Sequence, residues 1–134
     1  MIIKRFDIEH IGLIVENPLE MAKWYHDVLG FNIKFKGKED EKSVAFVTDS
    51  SDKVMLELAQ IPEVSALTTR TDHHLQLHIA VKSDDMDQDI EYLVDNGATL
   101  IEKCPLSRPG DYLVVLYDPW GNCIQLVQRG NDIK

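Results

Sequence analysis

Positive charge is scarce in this chain. Fourteen Lys and Arg stand against 23 Asp and Glu, leaving a net charge of −9 and a pI near 4.9, so the summed field repels polyanions. Nucleic acid and anionic membrane surfaces are therefore poor partners. Long apolar runs are also missing. The apolar stretches are strand-sized, far short of the roughly 20 residues of a membrane span, and Met1-Ile2-Ile3-Lys4-Arg5 has no apolar signal-peptide core. A cytoplasmic protein is expected. Cysteine is reduced to Cys104 and Cys123, with no CxxC spacing, which reads as buried reduced thiols rather than a disulfide. No segment is of low complexity.

What is present is an ordinary globular composition, 44% hydrophobic and 28% charged over 134 residues. A chain of this size buries roughly two thirds of its unfolded surface in one core, enough for a small enzyme. It also repeats itself. His10-Ile11 recurs as His78-Ile79 and, at the same shift of 68 residues, Glu57 falls on Gln125.

Each half shows the same order of local signals. In the first, Asp7 to Val15 alternates as a strand, and Asn17-Pro18-Leu19-Glu20 supplies an N-cap, a proline at the first helical position and a first-turn acid. Ala22, Tyr25, Val28 and Leu29 make the apolar stripe of that helix and Gly30 ends it. Strands are predicted over Phe31 to Lys36, Ser43 to Thr48 and Lys53 to Ala59. In the second half His74 to Val81 reads as a strand. Ser83 caps a helix whose Met86, Ile90, Leu93 and Val94 face the core, Gly97 closes it, and Ala98 to Lys103, Tyr112 to Tyr117 and Asn122 to Gln128 follow as strands. The expected fold is α+β: two βαβββ modules, 6–60 and 73–128, joined by a connector over 61–72. Two such sheets related by an approximate two-fold would form a cup-shaped, open barrel-like sheet.

His10, Glu57, His78 and Gln125 hold equivalent places in four of these strands, and each interrupts an apolar run. A carboxylate on such a face is costly unless a positive group lies beside it. A divalent cation held by two imidazoles, one carboxylate and one amide oxygen explains the set; four unrelated polar residues are the alternative. An N₂O₂ set suits Zn, Ni, Co, Mn or Fe.

These residues, with His10-Ile11-Gly12-Leu13-Ile14-Val15, the helix end Trp24-Tyr25-His26-Asp27-Val28-Leu29-Gly30-Phe31, and Asp118-Pro119-Trp120-Gly121-Asn122-Cys123-Ile124-Gln125-Leu126, resemble the vicinal oxygen chelate superfamily. That superfamily holds glyoxalase I, methylmalonyl-CoA epimerase, extradiol dioxygenases, and the fosfomycin- and bleomycin-resistance proteins. The last segment is similar to its DPxGNxIEL signature with Gln in place of Glu. The resemblance implies that His10, Glu57, His78 and Gln125 are metal ligands. It also implies a metal-dependent lyase or isomerase of glyoxalase I type, working through an enediolate on a small-molecule substrate, in a homodimer.

Three departures refine that expectation. Gln125 stands where glyoxalase I has its usual base, which leaves Glu57 as ligand and base. Ile14 and Ile61 occupy the places of an arginine and an asparagine that hold glutathione in glyoxalase I, which argues against glutathione. Arg5, Arg70 and Arg108 are read as solvated charges, with substrate contact as the alternative. The competing function is a metal-free binding protein of bleomycin-resistance type, in which Gln125 records loss of the metal. His74, expected on the face of His78, and Cys123, on the face of Gln125, are the substrate-binding candidates. Arg108-Pro109-Gly110-Asp111 is read as a loop over the mouth of the cup.

Overall fold

The structure is a computed structural model that describes residues 3–69, 72–104 and 108–134. The chain divides into two compact units, residues 1–70 and 71–134. Unit 1 runs β1 (Ile11–Ile14), α1 (Pro18–Leu29), β2 (Asn32–Lys36), β3 (Val44–Thr48) and β4 (Met55–Ala59), and ends in a 3₁₀ turn over Leu67–Thr69. Unit 2 opens with a 3₁₀ turn over His74–Gln76 and runs β5 (Ile79–Lys82), α2 (Met86–Asp95), β6 (Thr99–Lys103), β7 (Tyr112–Tyr117) and β8 (Cys123–Gln128). Each unit holds one four-stranded mixed sheet, ordered β1-β4-β3-β2 and β5-β8-β7-β6. The fold is α+β, as the repeat implies.

The period-2 pattern decides which sheet face the helix covers. In unit 1, Ala45, Val47, Leu56 and Leu58 are buried together with Met21, Ala22 and Tyr25 of α1, while Phe46 and Glu57, one residue out of phase, are only half-buried. Gly30 takes a left-handed conformation at φ 72°, and its N–H closes the helix on the His26 carbonyl. Asn17 sits at the N-cap position, but its side chain makes no capping bond; Pro18 starts the helix.

Several expectations need correcting. β1 begins at Ile11, not Asp7, because only Ile11 to Ile14 have parallel partners, Leu56 to Ala59 on β4; residues 7–10 are exposed and unpaired as strand. The segment from His74 is not a strand either. The His73 side chain accepts the Leu75 N–H and the Gln76 side chain accepts the N–H groups of Asp72 and His73, so a capping box closes a 3₁₀ turn before β5. In α2 the cap is Asp85, which accepts the Gln88 N–H, whereas Ser83 donates its hydroxyl to Asp89. Val94 is exposed rather than in the core.

The same hairpin problem is solved twice ahead of the strands that carry Glu57 and Gln125. Asp49 follows β3 and accepts the N–H groups of Lys53 and Val54; Asp118 follows β7 and accepts those of Trp120 and Asn122. The left-handed position of each turn is Asp52, at φ 64°, and Gly121, at φ 86°. Asp52 holds that conformation while accepting bonds from Thr48 and Lys34; Gly121 does so without a side chain.

Asp111 ties down the segment read as a loop. It is buried and accepts from Arg129 Nη1 at 2.7 Å and Gly130 N at 3.0 Å, with Arg108 Nε 3.9 Å away. The Gly130 amide first, and then the Arg129 guanidinium, hold its carboxyl below the ordinary value. A depressed carboxyl contributes stability above the unfolded pKa, near 4, and loses it as pH falls through the folded value. Asp111→Asn is expected to flatten the loss of stability below about pH 4, measured by urea unfolding between pH 2.5 and 6; an unchanged acid limb would show that these bonds add nothing.

Candidate functional site

In unit 1 the parallel register sets Gly12 of β1 opposite Glu57 of β4. The missing side chain at Gly12 leaves room for the carboxylate: a Cβ there would lie 3.4 Å from Glu57 Oε1. His10, two residues before Gly12, extends the same face from just outside β1. Its ring stands edge-on to Phe46 with centroids 5.6 Å apart, and Phe46 is the cross-strand neighbour of Glu57 on β3. Phe46 in turn packs near Phe35 of β2, at 6.2 Å. His10 Nδ1 is bonded to Glu9 Oε1 at 2.9 Å. A carboxylate only accepts, so in the neutral ring Nδ1 carries the proton and Nε2 keeps its lone pair.

Unit 2 repeats the arrangement with different chemistry. Ala80 of β5 faces Gln125 of β8, and His78 lies two residues before Ala80. His78 Nδ1 is bonded to the Leu75 carbonyl at 3.0 Å, which again leaves Nε2 free as a donor atom. Gln125 points its amide nitrogen at Cys104 Sγ, 3.5 Å away, and so keeps Oε1 available. Each unit therefore offers one imidazole nitrogen and one oxygen on a shared face. Fixing the far ring nitrogen in this way is what metal-binding histidines require. Among the described residues, His10, Glu57 and His78 included, no three His, Cys, Asp or Glu side chains form a metal-holding group.

Cys123 keeps its place on β8, whereas His74 is not in a strand. Cys123 is buried beside the Gln125 face, and burial above all, then the negative charge of Cys104, Glu102 and Asp118, pushes its thiol up to about 11. It packs as a small apolar group and is a poor nucleophile at neutral pH. Both cysteines are free thiols. His74 does not share a strand face with His78; its ring reaches Tyr117 of β7 and Glu102 of β6 instead. Neither partner stands out in the sequence, because Tyr117 lies in an apolar run and Glu102 looks like a surface acid. Counting register back from the Asp118 turn, which pairs Tyr117 with Cys123, is the signal that finds the tyrosine.

Arg108 bonds the Asn131 carbonyl at 2.6 Å and holds structure; Arg70 lies outside the described residues. A cleft of about 460 Å³ on unit 2 is lined by Lys103, Cys104, Gly110, Asp111, Tyr112, Leu113 and Gln128. It includes none of the four candidate ligands.

The sequence matches the model of the Glyoxalase/Bleomycin resistance protein/Dioxygenase superfamily over residues 7–126. The chain belongs to that superfamily. Solved members share its fold. A glyoxalase family protein from Bacillus cereus superposes with a TM-score of 0.73 at 16% identity, covering 93% of this chain and 95% of the other. The fosfomycin resistance protein FosX from Listeria monocytogenes, complexed with Mn(II) and sulfate ion, does so at 0.68 and 15% identity, covering 92% and 90%. TnmS3, an antibiotic binding protein from Streptomyces sp. CB03234, gives 0.63 at 22% identity, covering 94% and 100%. No curated protein matches the chain. Proteins of this fold thus include both a resistance protein complexed with Mn(II) and an antibiotic binding protein, and the choice between such roles falls on the side chains. No helix among the described residues is long and apolar enough to cross a membrane.

Proposed function

We propose that this superfamily member is a metal-dependent lyase or isomerase of glyoxalase I type, in which His10 and Glu57 of unit 1 and His78 and Gln125 of unit 2 hold one divalent cation. The observation that carries this reading is the matched pair of half-sites. In each, a histidine with Nδ1 already engaged shares a face with an oxygen donor, and the Glu57 carboxylate has no hydrogen bond or ion pair among the described residues. A half-buried carboxylate left without a partner is costly, and a cation relieves that cost.

When bound, the cation supplies Lewis acidity toward two vicinal substrate oxygens and acidifies the neighbouring C–H. The chain's residues do the rest. Glu57, the one carboxylate of the set, takes the carbon proton. Gln125 cannot take it, since an amide has no basic lone pair at neutral pH. Phe46 beside Glu57, and Phe35 beyond Phe46 in the same row, give this face apolar surface, which favours a substrate with a small apolar substituent at the reacting carbon. Ile14 and Ile61 offer no hydrogen bond to a tripeptide carboxylate, so a thiol other than glutathione is the expected co-substrate. We take the protein to be a homodimer acting on a small molecule, with Cys123 lining the Gln125 face.

The competing reading, a metal-free binder of bleomycin-resistance type, draws on the Gln125 amide being satisfied by Cys104. Metal analysis of the protein purified without chelator separates the two. Stoichiometric Zn, Ni, Co, Mn or Fe, lost in His78→Ala, supports the enzyme. Metal-free wild-type protein that takes up none of these ions on dialysis supports the binder.

A further inference from the structure

The two sheets carry equivalent rows of residues across their strands. In unit 1 the row is Gly12, Glu57, Phe46, Phe35; in unit 2 it is Ala80, Gln125, Val115, Glu102. A strand irregularity before Phe35 and another before Glu102 keep the two rows in step. Where unit 2 has an amide in place of the Glu57 carboxylate, it carries a carboxylate two strands further along the same row, about 10 Å away by strand spacing. That carboxylate is not idle. Glu102 Oε1 lies 2.8 Å from His74 Nε2, and His74 Nδ1 lies 3.0 Å from the Tyr117 hydroxyl.

We propose that Tyr117, His74 and Glu102 form an acid–base relay for the hydroxyl proton of an α-hydroxycarbonyl substrate; this rests on the isomerase reading above and deepens it. The direction of each bond follows from chemistry. The Glu102 carboxylate only accepts, so the neutral His74 ring carries its proton on Nε2 and presents a lone pair at Nδ1. The Tyr117 hydroxyl then donates to Nδ1, which leaves its own oxygen lone pairs as acceptors. This is the logic of a nucleophile or acid leaning on an oriented imidazole.

A 1,2-proton shift between adjacent carbons moves two protons, one from carbon and one from oxygen. Glu57 takes the carbon proton and returns it to the neighbouring carbon. The substrate hydroxyl gives its proton to the Tyr117 oxygen as the Tyr117 proton passes to His74 Nδ1, and the bonding pair stays on the substrate oxygen. The imidazolium so formed is paired with Glu102. The reverse transfer delivers the proton to the oxygen of the former carbonyl, so nothing is consumed. Tyr117 is the catalytic residue here, His74 stores the proton, and Glu102 is a positioning residue. The groups facing His74 are Tyr117 from β7, Glu102 from β6 and the His73 ring stacked at 4.1 Å; Cys123 of β8 lies within the field of Glu102.

Two measurements on the full chain test the relay. Nitrogen-15 NMR of the histidine rings is expected to show neutral His74 as the Nε2–H tautomer, with the Nδ1 signal shifting in Tyr117→Phe; an Nδ1–H tautomer overturns the proposal. The second follows turnover of hemithioacetals of methylglyoxal with a thiol panel by metal-loaded protein. Tyr117→Phe should lower kcat by about 10²-fold or more with KM little changed. Glu102→Gln should lower kcat with KM little changed and shift the His74 Nε2 signal, since the ring loses the acceptor that orients it. A Tyr117→Phe enzyme with unchanged kcat, or a Glu102→Gln enzyme with unchanged kcat and an unmoved His74 Nε2 signal, refutes the relay and leaves the isomerase reading standing. Wild-type protein inert on every adduct refutes both.

Discussion

Glu57→Gln is expected to lower turnover by about 10²- to 10⁴-fold, the span of a lost general base, while keeping the cation proposed above. The substitution is nearly isosteric. The Gly12 gap that admits Glu57 Oε1 also admits an amide, and an amide oxygen ligates a cation as Gln125 is proposed to do. What the variant loses is a group that can carry a proton. Two histidines, a carboxylate and an amide leave a divalent site at +1; the variant leaves it at +2, which makes bound substrate more acidic without giving its proton a destination. Metal content by elemental analysis and kcat on the hemithioacetal panel read the two effects apart. A variant that keeps its metal and its full rate would show that Glu57 is a ligand only, and an active variant without metal would remove the cation from the reading.

The second large effect is structural. Asp118 is buried at the head of the turn that leads into β8 and accepts from Trp120 N at 2.9 Å, Asn122 N at 2.8 Å and Asn122 Nδ2 at 2.9 Å. Asp118→Ala removes that acceptor from three donors, the two from Asn122 in buried bonds, and at about 1–3 kcal/mol for each buried group left unsatisfied a loss of about 2 kcal/mol or more is expected. That is a large share of the roughly 5–15 kcal/mol of a typical domain. Asp118→Asn, which keeps one acceptor oxygen, should recover part of it. Urea unfolding followed by circular dichroism gives both numbers; a cost under about 1 kcal/mol for the alanine variant would mean the turn is held by its backbone alone. Because the turn sets where β8 begins, metal affinity in Asp118→Asn also reports how firmly Gln125 is placed.

The duplicated pattern was readable along the chain because it is a matter of spacing. Period-2 alternation, Pro18 at a helix start, Gly30 at a helix end and the shift of 68 residues are local or one-dimensional facts, and both sheets, both helices and the four candidate ligands follow from them. The errors fell where a local side-chain bond competes with extended backbone. His74 alternates correctly for a strand, yet the reciprocal bonds of His73 and Gln76 curl the segment into a turn. Asp7 to Glu9 also alternate, but a strand needs a partner, and β4 offers none that far.

The sequence by itself determined the superfamily, the paired βαβββ units and the choice of the four candidate ligands, since these depend on residue type and interval. Only the tertiary structure decided which ring nitrogen each histidine keeps free, that Gln125 turns its amide toward Cys104, and that Tyr117, His74 and Glu102 are joined. Those facts depend on register between strands far apart in the chain, on a one-residue irregularity in β6 that no composition rule reveals, and on hydrogen bonds spanning 28 to 43 residues of sequence.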